Sequence, residues 1–250
     1  MDKWKKAVVH LNCYNFESYE SLGTSLFIKD KNNMYLVTAR HVIMKSDSTL
    51  YENITDIKRP GGLNSDNEIM YKLDLANREF RSHFTPVLVS NIKDDIGVIS
   101  LNSPATQGFG EYLLQNNYDP VDIAVFDSSE VKEGDDILSV GFPPASDINL
   151  LLGTESKELI TLPVYLFGKV AMNYEDFTFL LGDISNYRGN SGSPVIKENK
   201  VIGLVKSQTC SEVPLPGREN EYITIREPLA LITKTVEILK VIKALQKNEW

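Results

Sequence analysis

Cysteine is scarce. The chain holds only Cys13 and Cys210. Two cysteines so far apart cannot form the disulfide framework that staples secreted domains. Both read as thiols of a protein in a reducing compartment. Histidine is nearly as rare, with only His10, His41 and His83. None lies at a spacing from a cysteine that would build a zinc site, so no metal is expected. Long apolar runs are missing too, which excludes a bilayer-spanning helix and a membrane role. After the charged opening Met1-Asp2-Lys3-Trp4-Lys5-Lys6, only Ala7-Val8-Val9 precedes His10. That run is too short for a secretory signal, and a cytoplasmic protein is expected. Positive charge is in deficit: Lys+Arg 26 against Asp+Glu 34 gives a formal net charge of -8. A nucleic-acid partner would call for a basic stripe, so none is expected. The cluster Lys3 to Lys6 reads as a solvated chain end.

Apolar residues are not in short supply. They make up 42% of 250 residues, enough for a substantial core in one large domain or two small ones. They fall mostly in short runs bounded by turn residues. A first set covers 7–14, 23–29, 34–39, 69–75, 85–90 and 96–101. The stretch 46–68 between them is polar and rich in glycine around Pro60-Gly61-Gly62, and reads mostly as loop. Residues 102–119, with Pro104, Gly108 and Gly110, show weak periodicity and read as a linker. A second set covers 121–126, 137–141, 159–170, 177–181, 194–196, 201–206 and 222–225. Closing each set into a barrel would hide its strand edges. The final segment changes period. Leu229, Ile232, Val236, Leu239, Ile242 and Leu245 recur every three or four residues, opposite Lys234, Glu237, Lys240 and Lys243. An amphipathic helix opening at Pro228 is expected. The division is thus 1–103, a linker at 104–119, 120–226, and a helix over 227–250.

The stretch most suited to chemistry is Gly189-Asn190-Ser191-Gly192-Ser193-Pro194-Val195. A serine between small residues, directly before a strand, presents a hydroxyl that a substrate backbone can reach. Turned inward together, the N–H groups of Gly189 and Ser191 would stabilise an oxyanion. Upstream stand Gly23-Thr24-Ser25-Leu26-Phe27-Ile28 and Tyr35-Leu36-Val37-Thr38-Ala39-Arg40-His41-Val42. Together these stretches resemble the trypsin/chymotrypsin-like serine proteases. The resemblance implies an all-β fold of two six-stranded antiparallel β-barrels with a C-terminal α-helix. It also implies an endopeptidase acting on peptide or protein substrates with no cofactor. Residue order agrees. An α/β-hydrolase needs a histidine after its serine, and none follows Ser191. The subtilisin order needs an aspartate before the histidine, where only Asp2 and Asp30 stand.

The roles implied are Ser191 as nucleophile and His41 as general base. Asp95 or Asp122 orients the imidazole, since each opens an Asp-Ile-small-apolar run. Asp122 is the closer local match. Asp95 is preferred because the base and its carboxylate come from the first barrel in this family. The specificity pocket is expected between Ser185, with Tyr187 and Arg188 at its rim, and Lys206, Ser207 and Gln208 opposite. With no carboxylate there, cleavage after Lys or Arg is disfavoured, and an acidic or polar residue is tolerated. Arg40 and Lys206 depart from the family pattern, so the alternative is a catalytically weak module that binds peptides. Asn190 stands where digestive members carry an aspartate that pairs with a newly cut N-terminus, so no proteolytic activation is expected.

Overall fold

The computed structural model describes residues 2–15, 18–51, 53–56, 72–74, 86–142, 163–215 and 221–248. The chain opens on a short helix, α1 (Asp2–Ala7). A first group of strands follows: β1 (Val8–Asn15), β2 (Ser18–Asp30), β3 (Asn33–Ala39), β4 (Asn53–Asp56), β5 (Lys72–Asp74), β6 (Val87–Val89) and β7 (Ile96–Ser100). The single turn α2 (Arg40–Ile43) ends β3, and α3 (Gln107–Gln115) follows β7. The later strands are β8 (Val121–Asp122), β9 (Asp136–Gly141), β10 (Val164–Met172), β11 (Phe179–Asp183), β12 (Pro194–Lys197), β13 (Lys200–Pro214) and β14 (Tyr222–Lys234). Helix α4 (Thr235–Asn248) closes the described chain.

The second group forms a closed barrel in the order β10-β11-β14-β13-β12-β9, all antiparallel. The first forms one sheet in the order β5-β4-β1-β2-β3-β7-β6. Period-two alternation sorts its side chains between two cores. Phe27, Leu36 and Ile99 point into the first barrel with Leu11, Phe109 and Leu113. Their neighbours Leu26, Ile28, Tyr35, Val37 and Val98 point outward into a seam shared with Val140, Phe142, Ile196 and Leu204 of the second barrel. A third cluster, including Leu180, Val195, Val205 and Ile232, fills the second barrel. The closed six-stranded barrel, the other sheet and the C-terminal helix accord with the expected two-barrel fold.

Four local expectations change. The charged opening is a helix rather than a solvated end, because Trp4 and Ala7 share one face and are buried in the seam. The expected linker contains α3, whose Phe109 and Leu113 are buried. Part of the polar stretch after Ser46 pairs as β4 against β1. The final helix starts at Thr235, not near Pro228. Residues 229–233 pair with β11 on one side, and β14 runs along β13 on the other, so two ladders override the helical spacing. Pro228 sits in an irregular stretch of the β13–β14 ladder, between Arg226 and Ala230, where a missing N–H is tolerated. One finding was not expected: β8 pairs in parallel with β2, tying the start of the second half to the first sheet.

Candidate active site

His41 stands on α2, a single turn that ends β3. The turn is fixed from below by packing. Val42 and Ile43 are fully buried, and two glycines make room for them. A Cβ on Gly23 would come within 2.5 Å of the Val42 methyls, and one on Gly97 within 2.6 Å of the Ile43 Cδ1. The imidazole stays on the outside, with its side chain 47% exposed.

Asp95 meets this turn from the opposite loop. It is 7% exposed and has φ 56, a left-handed conformation uncommon for an aspartate. The conformation puts both carboxylate oxygens to use. Oδ1 accepts the backbone N–H of His41 at 3.0 Å, which satisfies an otherwise orphan donor at the start of the turn. Oδ2 lies 2.7 Å from His41 Nδ1. A carboxylate in that place makes Nδ1 the protonated nitrogen and leaves Nε2 free to accept a proton. The Arg40 N–H bonds to the Asp95 carbonyl at 2.9 Å, so the two loops hold each other at three points. Asp122 is elsewhere. Its Oδ1 accepts the Ala124 N–H at 2.8 Å and caps a short 3₁₀ turn over Ile123–Val125.

The serine loop comes from the second barrel and is held by the first. Thr24 on β2 donates its N–H to the Ser191 carbonyl at 2.8 Å and its Oγ1 to the Gly189 carbonyl at 2.8 Å. Gly192 has φ +85, and a Cβ there would lie 2.1 Å from the Thr24 carbonyl and 2.9 Å from the Ala39 nitrogen. Only glycine lets the loop come this close to the end of β3, two residues before His41. The N–H groups of Asn190, Gly192 and Ser193 are bonded to the carbonyls of Tyr187, Val205 and Asn190. Among the described residues, no backbone carbonyl accepts the N–H groups of Gly189 and Ser191. Ser191 is thus half-buried on a loop packed against the end of β3, and two residues beyond that end stands an imidazole bonded to a buried carboxylate.

Residues 23–204 match the family model for the trypsin-like peptidase domain. The chain belongs to that family. A solved structure similar to this trypsin-like peptidase domain is the serine endoprotease from Yersinia pestis. The two share 18% identity over 98% of this chain and 64% of that one, with a TM-score of 0.54. At that identity the likeness shows the fold, and this chain spans only 64% of the length of its neighbour. No curated protein matches at a significant level.

In this peptidase domain the two expected pocket segments flank one strand. Asp183, before the first segment, pairs with Leu229, and Gln208, in the second, pairs with Ala230. Strands two ladder steps apart lie about 10 Å from each other. Ser185, Tyr187 and Arg188 are exposed. Between them Asn186 is 6% exposed, and its Oδ1 has no partner among the described residues. Sequence reasoning missed Asn186, although alternation along Ile184-Ser185-Asn186-Tyr187 would have turned it inward. The Lys206 Nζ donates to the Lys93 carbonyl at 2.7 Å, and the Gln208 Nε2 donates to the Glu227 carbonyl at 2.5 Å. His10 pairs across the ladder with Thr24 and is stacked on Phe142 at 4.9 Å, with burial pushing its pKa down to about 4. Burial also pushes the Cys13 thiol up. His83 lies outside the described residues.

Proposed function

We propose that the chain is a serine endopeptidase working through His41, Asp95 and Ser191 and an acyl-enzyme intermediate. The observation that carries this reading is the two-point grip of Asp95 on His41, one oxygen on the backbone N–H and the other on Nδ1. A carboxylate serving only as a loop anchor has no reason to take both.

The chemistry follows from protonation states. With Nδ1–H held by Asp95, Nε2 takes the proton from the Ser191 hydroxyl as Oγ attacks the scissile carbonyl. The charge that develops on the carbonyl oxygen is stabilised by the N–H groups of Gly189 and Ser191. The imidazolium is stabilised by Asp95, and its proton passes to the departing amine. A water molecule then repeats the sequence on the acyl-enzyme. No step draws on a metal or cofactor. Substrates are peptides or proteins. Ser185, Arg188 and Gln208 border the side-chain pocket, whose positive Arg188 disfavours Lys and Arg before the cut. Asn190 is neutral and fully buried beside the nucleophile, so the loop needs no ion pair from a cut terminus. The free thiols of Cys13 and Cys210 suit a reducing compartment such as the cytoplasm.

The test is hydrolysis of an unstructured protein and of a peptide library by the chain and by Ser191→Ala and His41→Ala. Turnover in the first and its loss in both folded variants is expected. Turnover that survives in Ser191→Ala would sink the proposal, as would dominant cleavage after Lys or Arg for the pocket.

A further inference from the structure

The loop that carries Asp95 is tied by short-range bonds, with the Asp95 N–H donating to the Asn91 carbonyl at 3.0 Å and the Asp94 N–H to Asn91 Oδ1 at 2.9 Å, yet its tip faces outward. Asn91, Ile92 and Lys93 are exposed, with Ile92 at 70%. Left-handed φ at a non-glycine residue costs on the order of 1–3 kcal/mol and persists only where neighbours over-determine it. Here the extra restraint crosses from the second barrel. The two carbonyls that precede Asp95 are both taken. Lys206 Nζ donates to the Lys93 carbonyl at 2.7 Å, and Thr233 Oγ1 donates to the Asp94 carbonyl at 2.7 Å.

Lys206 reaches the loop because of a bulge. In the β13–β14 ladder Val205 pairs with Ile232 and Ser207 with Leu231, which leaves Lys206 as the extra residue. A bulge re-aims one side chain out of the strand's alternation. The residue before it, Val205, accepts the Gly192 N–H at 2.7 Å and donates to the Ser193 carbonyl at 2.9 Å. Consecutive residues of one strand therefore hold the serine loop and the aspartate loop.

We propose that Lys206 is a positioning residue: its ammonium, with the Thr233 hydroxyl, straps the 91–95 loop so that Asp95 holds His41 in register with Ser191. This rests on the peptidase reading for its effect on turnover, but the strap itself can be read without turnover. It also changes what Lys206 is for, from recognising substrate to holding the carboxylate. A substrate contact would raise KM when lost. A positioning role lowers kcat and leaves KM nearly alone.

The experiment compares the chain with Lys206→Met, Lys206→Arg and Thr233→Val. Two readouts are taken: the low-field proton resonance of the Nδ1–H···Oδ2 bond and steady-state peptide hydrolysis. Lys206→Met keeps the apolar stem and loses the donor. Its resonance should broaden into exchange with water, and kcat should fall about 10–100-fold, the scale expected for a displacement near 1 Å. KM should stay within about twofold, since uniform binding is untouched. Lys206→Arg keeps a donor and should restore both readouts. Thr233→Val should move them the same way as Lys206→Met, and serves if that variant fails to fold. A folded Lys206→Met with a sharp resonance and undiminished kcat would overturn the proposal. So would a change confined to KM, or an arginine variant as impaired as the methionine one. If neither the chain nor any variant hydrolyses peptide, the peptidase reading fails, while loss of the resonance in Lys206→Met and its return in Lys206→Arg would still support the strap.

Discussion

Asp95 and Asp122 open similar runs in the sequence, and their surroundings separate them. Asp95 grips His41 at the ring and at the backbone, whereas Asp122 caps a turn. Asp95→Asn keeps the size but offers an N–H where an acceptor is needed, which favours the wrong imidazole tautomer. It should lower kcat by about 10⁴, as in other triads. Asp122→Asn retains an acceptor for the Ala124 N–H and should hydrolyse peptide at the parent rate. A reversal of the two rates would contradict this assignment. His10 gives a second prediction at this scale. Its pKa is lowered from 6.5 to about 4 by burial. Between those values the unfolded chain binds a proton that the folded chain refuses. Stability is therefore retained above the higher value and lost as pH falls toward the lower one. The loss by about pH 4.5 is about 2–3 kcal/mol. Urea midpoints at about pH 7.5 and about pH 4.5 should diverge by that much more for the parent than for His10→Phe, which keeps the stack on Phe142. Equal divergence would remove His10 from the account. Local context singles out Ser191 and His41 as candidates, because small residues and turn chemistry are written in adjacent positions. Asn186 and Lys206 were less legible. One depends on which side of an irregular segment faces inward, the other on a bulge that no spacing rule reveals.

At the level of elements, strands with clear alternation were legible, while ends and connections were not. Residues 229–233 carry a helical spacing, yet two neighbouring ladders keep them in β14 until Lys234. The pairing of β8 with β2 depends on contacts across the fold rather than on Val121 and Asp122 themselves. Trp4 shows the same limit: lysines on either side disguise a buried helix face. Helix α4 was legible in its apolar stripe, and its packing can be tested. Ile238, Val241, Ile242 and Leu245 enter the seam core beside Trp4 and Val8, and the Gln246 amide reaches Asp30 at 2.7 Å. The helix follows the last strand of the second barrel yet packs on strands of the first. Leu245→Ala should cost about 2–5 kcal/mol, read as a lower urea midpoint. The exposed Lys247→Ala should change stability by less than about 0.5 kcal/mol. Equal midpoints for both would mean that α4 does not support the seam.

At the scale of the whole molecule, each barrel supplies half of the candidate site and fixes the other half. Thr24 of the first sheet holds the carbonyls of Gly189 and Ser191. Lys206 and Thr233 of the second barrel hold the carbonyls before Asp95. The largest core cluster joins residues of both halves, so packing holds the seam between them. The two-barrel plan could be read from the sequence because strand rhythm and chain order survive without an alignment. The reciprocal hold could not, since it joins residues more than a hundred positions apart. The central claim is that this arrangement turns Ser191 into a nucleophile. The direct measurement is exposure of the chain to a fluorophosphonate, followed by digestion and mass spectrometry. The account predicts one adduct, on Ser191, that is absent from Ser191→Ala and strongly reduced in His41→Ala. A folded protein that takes up no label, or takes it on another residue, would contradict it.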